Sequence, residues 1–286
     1  MTALLLSLAL LTIVKATPIV FAALGGVVSE RSGVVNIGLE GMMIAGAFGA
    51  VVISHATHSA PFAVAGGAAA GAFFGYVLAL AATRFKVDQI VAGTGINIIC
   101  AGGAAYGLVL VFNQPGASTQ VDAMGHGYWW LVAFAFASAG ALQWFAFRTT
   151  WGLRLRACGE NPAAVRSAGL NPLAIRTFAV LASGALAGLG GAFLSVGELN
   201  LYSDGMTAGR GFIALAAVIF GRWTPLGATA AALVFGFFEA LQFVLQGRVP
   251  WLPVSAMEAL PYIVALVALA GMTGKVRAPA ADGVPY

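Results

Sequence analysis

Several polar side chains stand inside stretches that are otherwise apolar: Lys15, Asn36, Glu40, Asn97, Glu239 and Gln242, with Glu198 and Glu258 near such stretches. A charge at the centre of a bilayer costs about 2.5–3.5 kcal/mol on insertion scales, so each one needs a compensating role. Glu40 and Asn36 lie in SGVVNIGLEGMMIAGAF (32–48), which is interrupted by Gly33, Gly38 and Gly41. Backbone groups freed by such a break must be buried in protein or line a watery cavity. Glu40 therefore either shapes a break beside a solute path or closes a structural ion pair. Glu239 sits in GFFEALQF, with Gln242 at i+3 and Phe243 at i+4 on the same helical face. These three line a conduit or pack between helices. Asn97, flanked by Gly93 and Gly95, either hydrogen-bonds a neighbouring helix or faces a solute. Lys15 and Glu258 read as side chains that snorkel to an interface. The chemistry on offer is recognition and passage of a polar solute.

Bond-making chemistry finds no comparable support. No G-x-x-x-x-G-K-[ST] phosphate loop is present, and Gly271-Met272-Thr273-Gly274-Lys275 lacks both the spacing and the hydroxyl, so the chain cannot bind ATP in that way. His55 and His58 form H-x-x-H without a third ligand nearby, which reads as a solvated loop. No Ser/His/Asp set, H-E-x-x-H or convincing carboxylate pair exists. The expectation is a protein that is not an enzyme, with no metal site and no cofactor of its own. Cys100 and Cys158 imply no disulfide framework.

The elements that must position these residues follow from composition. Of 286 residues 60% are hydrophobic and only 8% charged, which excludes a soluble globular protein. Charge-free runs such as Val51 to Thr83 and Phe178 to Gly197 read as membrane spans. Spans are expected near 3–27, 34–54, 61–83, 88–112, 128–147, 177–198, 226–246 and 254–272. The segment 208–221 covers about 21 Å, less than the roughly 30 Å hydrocarbon core, and reads as a half-helix. The first apolar stretch reads as a retained span and not a cleaved leader, since it lacks a basic start and carries Lys15 mid-run. The Gly-xxx-Gly pairs Gly71/Gly75, Gly103/Gly107, Gly184/Gly188 and Gly205/Gly209 suit close helix packing.

The net charge of +4 has a topological cause and does not call for nucleic acid. Ten of the fourteen basic residues fall in alternate connections, around 84–86, 148–176, 222 and 275–277, which places those segments in the cytoplasm. The stretch 29–32 is either a cytoplasmic turn or a break within the membrane. The longest polar connection, 148–176, carries five arginines and two Asn-Pro pairs. Pro162 suits the first turn of a short helix capped by Asn161, and Gly169 with Asn171-Pro172 ends it. A helix of about seven residues is not stable alone and needs something to dock on. A weak likeness links 32–48 to SDGMTAGRGFIALAAVIFGR (203–222), which is broken by Gly205, Gly209 and Gly211 and carries Asp204, Arg210 and Phe212. Paired Gly-interrupted segments point to a transport site near the bilayer midplane.

The blocks ERSGVVNIGLEGMMIAGAF (30–48), DQIVAGTGINII (88–99), GENPAAVRSAGLNPLAIRTFAVLASGALAGLGGAF (159–193) and GRGFIALAAVIFGRWTPLGA (209–228) carry a resemblance. In the same order and over almost the whole chain, they resemble bacterial ABC-transporter permeases of the branched-chain amino acid/simple sugar type, nucleoside-uptake branch. The resemblance implies a second permease subunit, a cytoplasmic ABC ATPase that holds ATP and magnesium, and an extracytoplasmic substrate-binding lipoprotein. It also implies that Glu160, Asn161, Pro162, Ala163, Ala164, Arg166, Gly169 and Asn171 form the coupling segment seated on the ATPase. Ala163 and Ala164 precede Gly169 as in the wider coupling motif, although the glutamate before them is missing and the spacing is one residue longer.

The expected fold is an all-α integral membrane protein with about eight to ten transmembrane helices, including broken or half helices, in two pseudo-symmetric inverted halves. Residues 1–286 form one permease domain in the bacterial cytoplasmic (inner) membrane, with 148–176 as its coupling loop. The expected function is an ATP-driven importer subunit for nucleosides or related purine or pyrimidine compounds, working by alternating access. Asn36, Glu40, Asn97, Phe212, Glu239 and Gln242 are the expected pathway residues. A stand-alone gradient-driven transporter or channel is the alternative function. Simple sugars, riboflavin-like compounds and branched-chain amino acids are the alternative cargos.

Overall fold

The computed structural model describes residues 2–122, 124–246, 257, 259, 262, 263 and 277–284. Among them the protein is all-α, with seven helices long and apolar enough to cross a membrane. These are α1 (Thr2–Arg31), α2 (Leu39–Thr57), α3 (Ala60–Thr83), α4 (Gln89–Phe112), α5 (Trp129–Arg148), α8 (Pro172–Ala192, continued by a π-helical turn over Phe193–Leu199) and α10 (Pro225–Gln246). Two short helices, α6 (Thr150–Glu160) and α7 (Pro162–Ser167), fill the arginine-rich connection. The half-helix expected over 208–221 is α9 (Arg210–Phe220), whose 11 residues reach about 16 Å. The span expected near 254–272 lies outside the described residues.

Three boundaries differ from expectation by four or five residues: α8 starts at Pro172 and not near 177, because Asn171 caps it there, and the other two are set by partners distant in sequence. Helix α1 continues through Ser29-Glu30-Arg31, because Arg31 is held by the carbonyls of Trp223 (2.6 Å) and Arg222 (3.3 Å) at the end of α9. Helix α2 starts only at Leu39, and the linker 32–38 before it is non-helical. Asn97, eight residues inside α4 and so about 12 Å along its axis, holds this linker: its amide donates to Ile37 O (3.0 Å) and accepts from Gly41 N (2.7 Å). The chain therefore enters the depth of the bilayer before α2 begins, and protein amides satisfy the backbone groups that the break frees.

The core is organised by α8, which packs against α1, α2 and α3, and by α1, which also carries α9, α10 and α5. Helices α3 and α8 touch backbone to backbone. A Cβ at Gly71 would overlap the carbonyl of Gly184, and a Cβ at Gly184 would overlap that of Gly71. Without a hydrophobic drive between helices in lipid, this close approach supplies the packing. The expected packing role holds for Gly71/Gly75 and Gly184/Gly188. It fails at Gly103, which meets nothing within 4 Å, and at Gly205 and Gly209, which lie in a turn with φ of 75° and 76°.

At the end opposite α6, the loop after α4 pairs with the loop before α9 through an antiparallel bridge between Ala117 and Ser203. Ser118 N donates to Tyr202 O (2.8 Å) and Asp204 N to Gly116 O (2.8 Å). His58 is exposed and meets Asp122 at 2.7 Å, while His55 rests on the Phe112 ring. No group of three metal-ligating side chains occurs among the described residues.

Candidate functional site

The amino ends of α2 and α9 meet at Glu40, so the two Gly-broken segments face each other. Glu40 lies in the first turn of α2 and is buried. Its Oε1 accepts from Thr207 Oγ1 (2.6 Å) and Gly209 N (2.9 Å), and its Oε2 accepts from Gly211 N (2.6 Å). The first N–H groups of a helix have no partner inside it and carry the positive end of its dipole, so a carboxylate from the first turn of α2 caps the start of α9. Charge-assisted bonds of this kind offset the cost of burying the carboxylate.

Beside this junction lie two buried ion pairs. Arg210, first residue of α9, pairs with Glu239 of α10 and donates to the carbonyls of Met206 (3.0 Å) and Thr207 (3.2 Å). Lys15 of α1 pairs with Glu198 and lies 4.4 Å from the centre of the Phe243 ring. The π-helical turn over 193–199 carries Glu198 at the end of α8. Glu198 and Glu40 add to the field of Glu239 at Arg210. The Lys15 expectation is thus corrected: the amine is buried in an ion pair and does not snorkel to an interface.

Two cavities flank the turn that leads into α9, and Ala208 borders both. One, of about 350 Å³, is lined by Glu40, Ile44, Tyr202, Asp204 and Thr207 together with Ala101 and Ala105 of α4. The other, of about 360 Å³, is lined by Arg210, Ile213, Glu239, Gln242, Phe243 and Tyr262. Tyr262 donates to Ala208 O across 2.7 Å. Burial, with Asp204 adding to it, pushes the Tyr202 phenol above its ordinary range, so it stays a neutral hydroxyl. A mixture of apolar wall, carboxylate, amide and phenol suits a neutral solute with several hydrogen-bonding groups. A larger groove of about 860 Å³, between α5, α6 and α8, is almost wholly apolar, with Arg154 and Asn171 its polar lining residues.

The arginine-rich end has its own geometry. Thr149 Oγ1 caps α6 by accepting from Gly152 N (3.1 Å), Asn161 caps α7 through Ala164 N (3.0 Å), and Asn171 caps α8 through Leu173 N (3.1 Å). Gly169, at φ 79°, turns the chain after α7. Helix α7 buries Val165 and exposes Ala163, Ala164 and Arg166. Behind it, Arg176 is 1% exposed and donates to the carbonyls of Ser32 (3.2 Å), Ala281 (3.3 Å) and Val284 (2.9 Å). Ala281 N donates to Gly159 O (2.8 Å) and Ala280 N to Glu160 Oε2 (3.3 Å). Segment 277–284 thus ties the end of α6 to the linker before α2. Burial pushes the Cys158 thiol up and raises Asp282 to about 7, with Arg176 pulling Asp282 the other way.

Residues 8–269 match the family described as branched-chain amino acid transport system / permease component. The chain belongs to this permease family. It is similar to the guanosine ABC transporter permease protein NupQ of Bacillus subtilis (38% identical) and the nucleoside ABC transporter permease protein NupC of Lactococcus lactis subsp. cremoris (37%). Each likeness covers 96% of the chain and 94% of the relative. It is also similar to the guanosine ABC transporter permease protein NupP of Bacillus subtilis, at 26% identity over 90% of the chain and 79% of the relative. No solved structure matches the permease.

Of the residues expected along the permease pathway, the fold brings Glu40, Glu239 and Gln242 to the two cavities. Phe212 stands 49% exposed on α9. Asn36 is fully buried and donates to Ser183 Oγ (2.8 Å), and Asn97 bonds the linker backbone, so in this structure both amides hold the break before α2. Arg210, Thr207, Tyr202, Asp204 and Tyr262 complete the cavities without having been expected there. One signal for them was available: the second Gly-broken segment carries an acid and a base of its own, Asp204 and Arg210.

Proposed function

We propose that this permease is the membrane-spanning subunit of an ATP-driven importer for nucleosides or related purine and pyrimidine compounds in the bacterial cytoplasmic membrane. The observation that carries the reading is the near full-length likeness to permeases named for guanosine and nucleosides. The cavities around the start of α9 support it, because Arg210 is paired with Glu239 and the Glu40 carboxylate is taken up by N–H and O–H donors, so no buried charge there calls for a charged solute. Paired permeases named for guanosine in one organism support a second permease subunit as partner.

In this reading the chain is a single permease domain and residues 148–176 are its cytoplasmic coupling loop. The exposed face of α7, with Asn161 and Glu160 before it and Gly169 and Asn171 after it, seats on the partner ATPase. ATP and magnesium belong to that ATPase, since this chain has no phosphate loop. A shift of α7 pulls on α6 and α8; Arg176 passes it to Ser32, and the linker 32–38 delivers it to the Glu40 junction. Opening and closing of the two cavities by relative movement of α2, α9 and α10 is the alternating access of this chain. An extracytoplasmic lipoprotein presents the solute from the other side.

The test joins composition to transport. Tagged permease extracted in mild detergent should bring down an ATPase with phosphate-loop motifs and a second permease, by mass spectrometry. Uptake of labelled guanosine in cells should require the chain and survive a protonophore at constant ATP. Recovery of a homo-oligomer alone, or collapse of uptake with the proton gradient, would replace this reading with a gradient-driven transporter.

A further inference from the structure

The groove between α5, α6 and α8 has no place in the transport reading, and its chemistry is that of a lipid site. Apart from Arg154 and Asn171 its lining is apolar, including Leu142, Phe145, Ile175 and Phe178. The Asn171 side chain is occupied in capping α8. Arg154 packs on the Trp151 ring at 4.9 Å and has no carboxylate in ion-pair range among the described residues. One cation without a carboxylate partner among the described residues therefore lines an otherwise oily groove.

Its dimensions and setting agree with that reading. Lining residues on α8 run from Ala174 to Leu186, twelve helical steps or about 18 Å of axis, close to one leaflet of a hydrocarbon core about 30 Å thick. The volume of 860 Å³ exceeds that of either cavity at the α9 turn. Helix α6 at the mouth exposes Trp151 (61%) and Leu153 (58%) beside Arg154 and Arg156, the pattern of a helix lying in the headgroup boundary. Arg148, at the end of α5, is exposed and also without an ion pair among the described residues.

We propose that this groove binds an anionic phospholipid, with an acyl chain along α8 and the phosphate at Arg154. Basic pockets between membrane helices select acidic headgroups in this way, each arginine near the surface favouring an anionic lipid about fivefold. The site fastens α6, and with it α7, to the leaflet on the arginine-rich side. It is independent of which solute the permease carries.

The test uses the full-length protein with whatever subunits remain bound, in phosphatidylcholine nanodiscs containing a minor fraction of brominated phosphatidylglycerol or brominated phosphatidylcholine. Quenching of Trp151 is the difference between wild type and Trp151→Phe. The expected result is about fivefold greater occupancy by phosphatidylglycerol, lost in Arg154→Gln, with quenching by both lipids reduced in Ala182→Phe, which fills the groove without adding an indole. Native mass spectrometry of the wild type, which needs no variant, should retain phosphatidylglycerol over phosphatidylcholine. Equal occupancy by the two lipids, or a preference that survives Arg154→Gln, overturns the proposal. Absence of Trp151 quenching by either lipid overturns it in favour of a protein partner covering the groove.

Discussion

The backbone N–H of Gly211 lies 2.6 Å from Oε2 of Glu40, and a Cβ at position 211 would overlap the backbone of Glu40. Two helix starts from distant parts of the chain are thereby held at one carboxylate, with no room for a side chain between them. Glycine is required here because the backbones approach each other, and at Gly209 because φ is 76°.

Gly211→Ala should therefore lower the thermal stability of the detergent-extracted permease, by about 1–3 kcal/mol for an overpacked contact. Gly102→Ala, in α4 with nothing within 4 Å, should be neutral or slightly stabilising, because alanine is the better helix former. Thermal unfolding of both variants compares them directly, and equal midpoints would show that the α2–α9 contact does not form.

Glu40→Gln places an amide NH₂ against N–H donors that now share a carboxylate. Loss of charge-assisted bonds at a buried site is expected to cost about 1.5–3 kcal/mol, with nucleoside uptake falling well below that of His58→Ala. His58 is exposed, and its ring meets an exposed Asp122. Near-native uptake and stability in both variants would remove Glu40 from the junction.

For Arg210 and Glu239 the expected result is non-additivity. Arg210→Gln alone leaves Glu239 buried without its cation, and breaking a buried pair costs about 3–5 kcal/mol. The double change Arg210→Gln/Glu239→Gln should recover much of that stability, because two neutral amides can bond each other. A double-variant loss equal to the sum of the singles, read from unfolding midpoints, would show that the two side chains do not interact.

Ala164→Asp should release the ATPase while leaving the permease in the membrane. Ala164 is exposed on α7, where a carboxylate disturbs no buried contact, and the helix is anchored from behind by Val165. Co-purification of the ATPase with the tagged variant measures this, and full retention would take the coupling role away from α7.

Docking of segment 277–284 should weaken as pH rises. Asp282 titrates near 7 when docked against an ordinary value of 3.8, because burial disfavours its charge, while Arg176 and the Gly283 N–H oppose the rise. The undocked segment loses its proton first, so docking is strongest below about pH 4, declines between 4 and 7, and is flat above. Hydrogen exchange of the Ala281 amide, corrected for its intrinsic pH dependence, should be faster at pH 8 than at pH 5, and Asp282→Asn should abolish the difference.

Much of this architecture was legible in the residues alone. Apolar runs located the seven described spans to within five residues, the shortness of 208–221 marked a half-helix, and Asn161-Pro162 marked the start of α7. The boundaries of α1 and α2 failed where a partner distant in sequence overrode local preference. Arg31 extends α1 because it reaches the end of α9, and Asn97 delays α2 by holding the linker at bilayer depth. Helix α6 was missed because its Gly and Arg content in a polar connection reads as loop, and it is folded by packing on α5 and α8.

The sequence by itself determined what must be buried and that each intramembrane charge needed a partner, because the cost of an unpaired charge in lipid is a local property of the chain. Which partner each one found was decided only by the tertiary structure. Lys15 meets Glu198 across 183 residues, Glu40 meets Gly211 across 171, and Arg176 meets Ser32 across 144. Helical periodicity reports the face a residue occupies and nothing about the helix opposite. That choice was made by backbone contact at glycines such as Gly71 and Gly184, which set the helix order and so brought the charges together.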